Sequence, residues 1–315
     1  MGTAATRTYA APPMCGIVGM YSKSPAVADR LGEHVARMLL QMAGRGPDSA
    51  GVAIYRDPVE QGQAKLSLHA PTGAADWSAA IAALDKSLGV ERSELLGAQH
   101  ARVDVRADTE AAQAWIAAEL PEIQVTSAGR MIEIYKDAVH PAEFVERFGV
   151  ADMSGSHALG HTRMATESRV TPEGSHPFST GLDLCLVHNG SLSNHNRLRA
   201  ELEREGTTFL TLNDSEVAAG YLTWRLRNGA TLEQALEGCL DDLDGFYTFA
   251  VGTADGFAVL RDPIACKPAV MAETDDWVAM ASEYRALATL PGAADAEVWE
   301  PEPGVIYAWG TVSVG

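Results

Sequence analysis

The sequence predicts an α+β protein with its strands and helices in blocks, and two observations carry that prediction. Strand-like runs gather near the start of the chain, "CGIVGMY" and "GVAIY". They return after residue 156, where three helical segments separate "LDLCLVHNGSLSN" from "FYTFAVGTADGFAVLRD", "PAVMAE" and "WVAMAS". No regular βαβ alternation links these runs, and neither GxGxxG nor GxxxxGK[ST] occurs, which excludes the dinucleotide-binding and P-loop folds. The 315 residues, 46% of them hydrophobic, suffice for one large core or two modest ones.

In chain order, residues 1–13 mix small and polar residues with "APP" and read as a tail. From Cys15 the chain turns apolar and glycine-bounded, as in a buried strand. Val27, Leu31, Val35, Met38, Leu39 and Met42 then follow at helical spacing, with Gly44 where one helix would stop. "RGPDSAGVAIYR" is a turn feeding a second strand, bent so that Arg45 and Asp48 return towards the first strand if the two are neighbours. Residues 61–155 have another texture. "AADWSAAIAALDKSL" and "TEAAQAWIAAEL" are helical, "GAQHARVDVRA" alternates as a strand, and "IQVTSAGRMIEIYK" reads as a hairpin around Ala128 and Gly129. This α/β unit has no nucleophile constellation of its own and is expected to serve packing or docking. Beyond 156, "SHALGHTRMAT" is strand-like, and helices are expected near 194–204, 215–228 and 231–240.

Composition narrows the function. Acidic residues outnumber basic ones 42 to 24, a formal charge of −18 that repels phosphate backbones and argues against a nucleic-acid partner. No apolar run is long enough for a membrane span, and "MGTAATRTYAAPP" lacks the apolar stretch of a secretory signal, so a cytoplasmic location is expected. Cys15, Cys185, Cys239 and Cys266 show no paired spacing; neither disulfides nor a metal site are expected.

Cys15 poses the chemical question. It is either a buried strand residue or the first residue of the mature protein. A thiol needs a base to become a thiolate, its ordinary pKa being about 8.5. An α-amino group, with a pKa near 8, is free base in roughly one molecule in ten at pH 7, so a cysteine at the N-terminus carries its base with it. That scheme needs a free terminus at Cys15. Either translation starts at Met14, making residues 1–13 a misassigned start, or residues 1–14 are a propeptide that is removed.

The motifs "CGIVG", "RGPDSAG", "GHTRMAT", "HNG", "NDSE", "RDPIACKP" and "SEYRAL" occur in one order. With them the chain resembles the class II glutamine amidotransferases, N-terminal nucleophile hydrolases that release ammonia from glutamine. The resemblance runs from Cys15 to about Trp309 around the 61–155 insertion. It implies a four-layer αββα sandwich of two antiparallel sheets between helices, with the α/β unit inserted. It also implies that Cys15 attacks the side-chain amide of glutamine and forms a γ-glutamyl thioester. Asn189 and the Gly190 backbone N–H would hold the oxyanion. Arg163 would bind the α-carboxylate in two hydrogen bonds, with a hydroxyl contact from Thr166. Asp214 would take the α-ammonium; read without the family, it equally suits the N-cap of a helix beginning near Ser215. Arg45 would support the nucleophile region, or form a structural salt bridge. His176 matches a position near the glutamine pocket, or is a satisfied loop histidine. Met164 departs from the aromatic residue common after this arginine, which bears on how a lid packs.

The long gap between "RGPDSAG" and "GHTRMAT" resembles the glutamate synthase branch, and the chain ends soon after "PEPGVIYAWG". The resemblance therefore implies a separate ammonia-accepting synthase subunit, glutamate synthase-like and including N-methylglutamate synthase, in a hetero-oligomer. Flavin and iron-sulfur groups would lie on that partner, with no cofactor in this chain. Two other readings stand beside it: a non-catalytic glutamine-sensing or docking subunit, in which an intact 1–14 segment leaves Cys15 without its amine, and a stand-alone glutaminase.

Overall fold

The computed structural model describes residues 15–71, 75–164 and 170–310. Strand Gly16–Ser22 is apolar from Gly16 to Met20, where both its faces are covered. Val18 and Met20 point into a core shared with helix Leu31–Met42, whereas Ile17 points the other way, into a core between two sheets. The helix covers the strand with Leu31, Val35, Met38, Leu39 and Met42. Val27 belongs to a separate short helix, Pro25–Ala28, so the single helix expected from the spacing is broken at Asp29 and Arg30.

The strand sits inside a seven-stranded antiparallel sheet ordered Glu297–Trp299, Val270–Glu273, Trp277–Ala281, Gly16–Ser22, His157–Arg163, Ser49–Tyr55 and Ile132–Asp137. A five-stranded antiparallel sheet, ordered Ile306–Gly310, Gly256–Arg261, Gly245–Thr253, Leu184–Leu192 and Phe178–Gly181, packs on it. Ile17, Ala53, Tyr55 and Leu159 of the first sheet meet Cys185, Val187, Ala250 and Phe257 of the second. The outer face of the second sheet, with Leu186, Phe249 and Val251, is covered by helices His195–Arg204, Asp214–Arg227 and Leu232–Asp242 through Leu198, Val217, Tyr221 and Leu236. The third helix starts on a reciprocal cap between Thr231 and Gln234. Helix, sheet, sheet and helix make the four-layer αββα sandwich.

The segment 61–155 divides. Strands Val90–Leu95, His100–Val105, Ala64–His69 and Gln124–Gly129 form a third antiparallel sheet in that order, with helices Trp77–Leu88 and Thr109–Glu119 joining them as βαββαβ, the split βαβ arrangement. Ile132–Asp137 instead closes the edge of the seven-stranded sheet, paired with Ser49–Tyr55. The expected hairpin around Ala128 and Gly129 is therefore not formed, and 132–155 belong to the sandwich. Asp183 decides this: its carboxylate accepts the backbone N–H groups of Arg130, Met131 and Ile132 at 2.8–2.9 Å, turning the chain from one sheet into the other. A side chain on Gly129 would strike that carboxylate, with a Cβ only 2.2 Å from its Oδ1.

A buried charge knot stitches insertion to sandwich. The fully buried Glu133 accepts from Arg56 and from Lys65, each at 2.8 Å, and lies 3.1 Å from Arg102 Nε. Lys65 and Arg102 come from the insertion. Burial works against the Glu133 charge, but Lys65, Arg56 and Arg102 outweigh it and hold the carboxyl below its ordinary range.

Candidate active site

The register of the first sheet builds the site. Gly16 pairs with Thr162, and Ser49 with Arg163, so Cys15, Arg163 and the "RGPDS" turn arrive at one end of three neighbouring strands. Gly46 lets that turn press close, since a Cβ there would lie 2.4 Å from the Thr162 carbonyl oxygen. From the second sheet, Leu184–Leu192 delivers Asn189 and Gly190.

Asn189 Nδ2 donates to the Cys15 carbonyl at 3.2 Å, and Arg45 Nε donates to the same oxygen at 3.1 Å. Arg45 also pairs through Nη1 with Glu283, so it forms a salt bridge while it holds the Cys15 carbonyl. The half-buried Cys15 thiol lies 3.9 Å from the Met164 carbonyl. Burial pushes this thiol above its ordinary value; the charges of Arg163 and Lys267 oppose the rise and favour the thiolate. Ser282 fixes the next residue, its Oγ accepting the Ile17 N–H at 2.9 Å. Gly190 has φ +155, and a Cβ there would lie 2.0 Å from the Phe246 carbonyl oxygen. Only glycine lets strand Leu184–Leu192 keep its pairing here, which holds Asn189 beside Cys15.

Asp214 is the first residue of helix Asp214–Arg227, not its cap. Asn213 is the N-cap, its side chain accepting the Ser215 N–H at 2.8 Å. That frees the Asp214 carboxylate from capping; it accepts the Leu192 N–H at 2.9 Å and the Ser215 hydroxyl at 3.3 Å. Beneath it, His188 Nδ1 stands 2.8 Å from Ser215 Oγ, and His161 Nε2 donates to the His188 carbonyl at 3.2 Å.

His176 is not a satisfied loop histidine. It is buried, neither ring nitrogen has a hydrogen-bond partner among the described residues, and it stacks on His161 at 4.0 Å. Burial lowers all three of these histidines: His161 to about 3, His188 to about 4, and His176 well below its ordinary value. Burial favours their neutral forms, and the three rings pack together, His176 stacked on His161 and edge-on to His188. Thr166 lies outside the described residues. Lys267, Ser282 and Glu283 were not singled out from the sequence, although "RDPIACKP" and "SEYRAL" contain or adjoin them; only folding brings them to Cys15 and Arg45.

An αββα sandwich with a cysteine at the head of an inner strand, its carbonyl accepting from an asparagine amide, is the arrangement expected of the N-terminal nucleophile hydrolases. Residues 161–289 match the model of a glutamine amidotransferase domain. The glutamine amidotransferase-like protein GlxB of Rhizobium meliloti is 53% identical over 94% of this chain and 98% of its own length. A relative from Methanothermobacter thermautotrophicus, named as a glutamine amidotransferase, is 31% identical over 93% of this chain and 99% of its own. The chain belongs to the class II glutamine amidotransferase family. Among solved structures, the Bacillus subtilis glutamine phosphoribosylpyrophosphate amidotransferase shares the fold, with a TM-score of 0.59 at 21% identity over 94% of this chain and 47% of that one.

Proposed function

We propose that this protein is the glutaminase subunit of a synthase, with Cys15 as its first mature residue. The observation that carries the reading is the placement of Asn189 Nδ2 and Arg45 Nε on the carbonyl of Cys15, which fixes the nucleophile beside a ready oxyanion donor. The Cys15 α-amine takes the thiol proton, and the sulfur attacks the side-chain carbonyl carbon of glutamine. The Asn189 amide and the Gly190 N–H hold the resulting oxyanion. The ammonium returns the proton to the leaving nitrogen as the C–N bond breaks, and ammonia departs. Water then attacks the γ-glutamyl thioester; glutamate leaves and the thiol is restored. Arg163 pairs with the α-carboxylate and Asp214 with the α-ammonium, which restricts the site to amides carrying both groups.

The acceptor of the ammonia lies on a separate, glutamate synthase-like subunit that carries the flavin and iron-sulfur groups, in a cytoplasmic hetero-oligomer. The two relatives matched along almost their whole lengths support an amidotransferase of this size acting as its own polypeptide. Among the described residues no helix is long and apolar enough to cross a membrane. The test is intact-mass and N-terminal analysis of protein from its native host, followed by reaction with diazo-oxo-norleucine. A chain beginning at Cys15 and labelled there supports the proposal. A chain retaining residues 1–14 and refusing label refutes it and favours a docking subunit.

A further inference from the structure

The insertion reaches the glutamine pocket through one loop. Residues 171–177 run across the first sheet over Gly51, where a Cβ would lie 2.1 Å from the His176 carbonyl oxygen. The buried Lys136 ammonium gathers this loop by donating to the carbonyls of Glu173, Ser175 and Pro177 at 3.3, 3.0 and 3.3 Å. The loop's Gly174 lies against Arg163: a Cβ on it would be 3.9 Å from Arg163 Nη1. On the other side of the loop stands His69, the last residue of the insertion strand Ala64–His69. Its Nδ1 is 3.5 Å from Glu173 Oε1, and its ring stacks on His100 at 4.6 Å. Among the described residues, both ring nitrogens of His69 are buried without a hydrogen bond. An unpartnered buried donor is costly, and a closing movement of Glu173 by about half an ångström would satisfy it.

We propose that the insertion positions the glutamine-binding loop: His69 receives Glu173 while Lys136 holds the loop backbone, and together they seat Gly174 against the Arg163 guanidinium. His69, Glu173 and Lys136 are positioning residues; none touches the reacting atoms. The proposal gives the split βαβ unit a role in glutamine affinity, and it rests on the reading of Arg163 as the carboxylate ligand.

The test uses the full protein bearing His69→Phe, which keeps the stack on His100, and separately Glu173→Gln. Hydrogen exchange at the Gly174 and Ser175 amides should speed up in both variants. The half-saturating concentration of diazo-oxo-norleucine should rise about tenfold, the effect of losing one charged hydrogen bond, with the limiting labelling rate within about twofold of the parent. Alkylation of Cys15 by iodoacetamide, which needs no pocket, should be unchanged. His69→Gln, which restores a donor, should recover part of the affinity. Unchanged exchange overturns the proposal, as does unchanged half-saturation or an equal loss with both reagents. A parent protein that refuses the glutamine analogue refutes the glutaminase reading instead, and the exchange data still decide whether His69 holds the loop.

Discussion

Lowering the pH from 7 to 5 should remove most of this protein's stability, and the magnitude follows from its histidines. Seven of nine are buried. Burial lowers His100, His157 and His188 to about 4 and His161 to about 3, against 6.5 for an exposed imidazole. These groups stay neutral in the folded chain and become charged in the unfolded one, so unfolding takes up protons below pH 6.5. Stability is fully present above 6.5 and is lost as the pH falls towards the folded values. Each group costs about 2 kcal/mol between pH 7 and 5, and the four together cost on the order of 8 kcal/mol, comparable to the whole stability of a domain. Ordinary carboxylates titrate mostly below this window. Urea unfolding at pH 7, 6 and 5, followed by circular dichroism, should show a slope near pH 5 corresponding to about four protons. The variant His157→Phe should flatten that slope by about one proton. It keeps the stack on Tyr55, now at 4.0 Å, but loses the 2.9 Å hydrogen bond from Nε2 to the Thr253 carbonyl. A slope below one proton would refute the reasoning, because it would mean that these imidazoles are charged in the folded protein.

Asn189→Ala should lower glutaminase kcat by about 100- to 1000-fold with little change in KM, the signature of a lost oxyanion donor in steady-state assays. Arg163→Lys should instead raise KM for glutamine, because an ammonium cannot make the paired contact with a carboxylate; an unchanged KM would remove Arg163 from the pocket. Gly190→Ala should lower both the urea midpoint and the rate of Cys15 labelling, since its methyl group meets the Phe246 carbonyl. Glu133→Gln should destabilise the chain by about 3–5 kcal/mol in urea titrations, because Lys65 and Arg102 would remain buried without their shared counter-charge.

Local elements and the family were legible in the sequence. The apolar run after Cys15 and the spacing of Leu31, Val35, Met38, Leu39 and Met42 were legible because each depends only on neighbours within a turn or two. The seven motifs carried the resemblance to the family, and with it the expectation that Cys15, Asn189, Gly190, Arg163 and Asp214 serve one site. Tertiary structure alone decided which strands share a sheet. Gln124–Gly129 and Ile132–Asp137 read as one hairpin locally, yet Asp183, more than fifty residues further along the chain, turns them into different sheets. It also decided that Asn213 rather than Asp214 caps the helix, since both residue types cap well and only the path of the chain chooses between them. The roles of Lys267, Ser282, Lys136 and His69 stayed hidden for the same reason. Strand pairing and burial couple residues far apart in sequence, and no local period records which distant side chain will supply a charge or take a hydrogen bond.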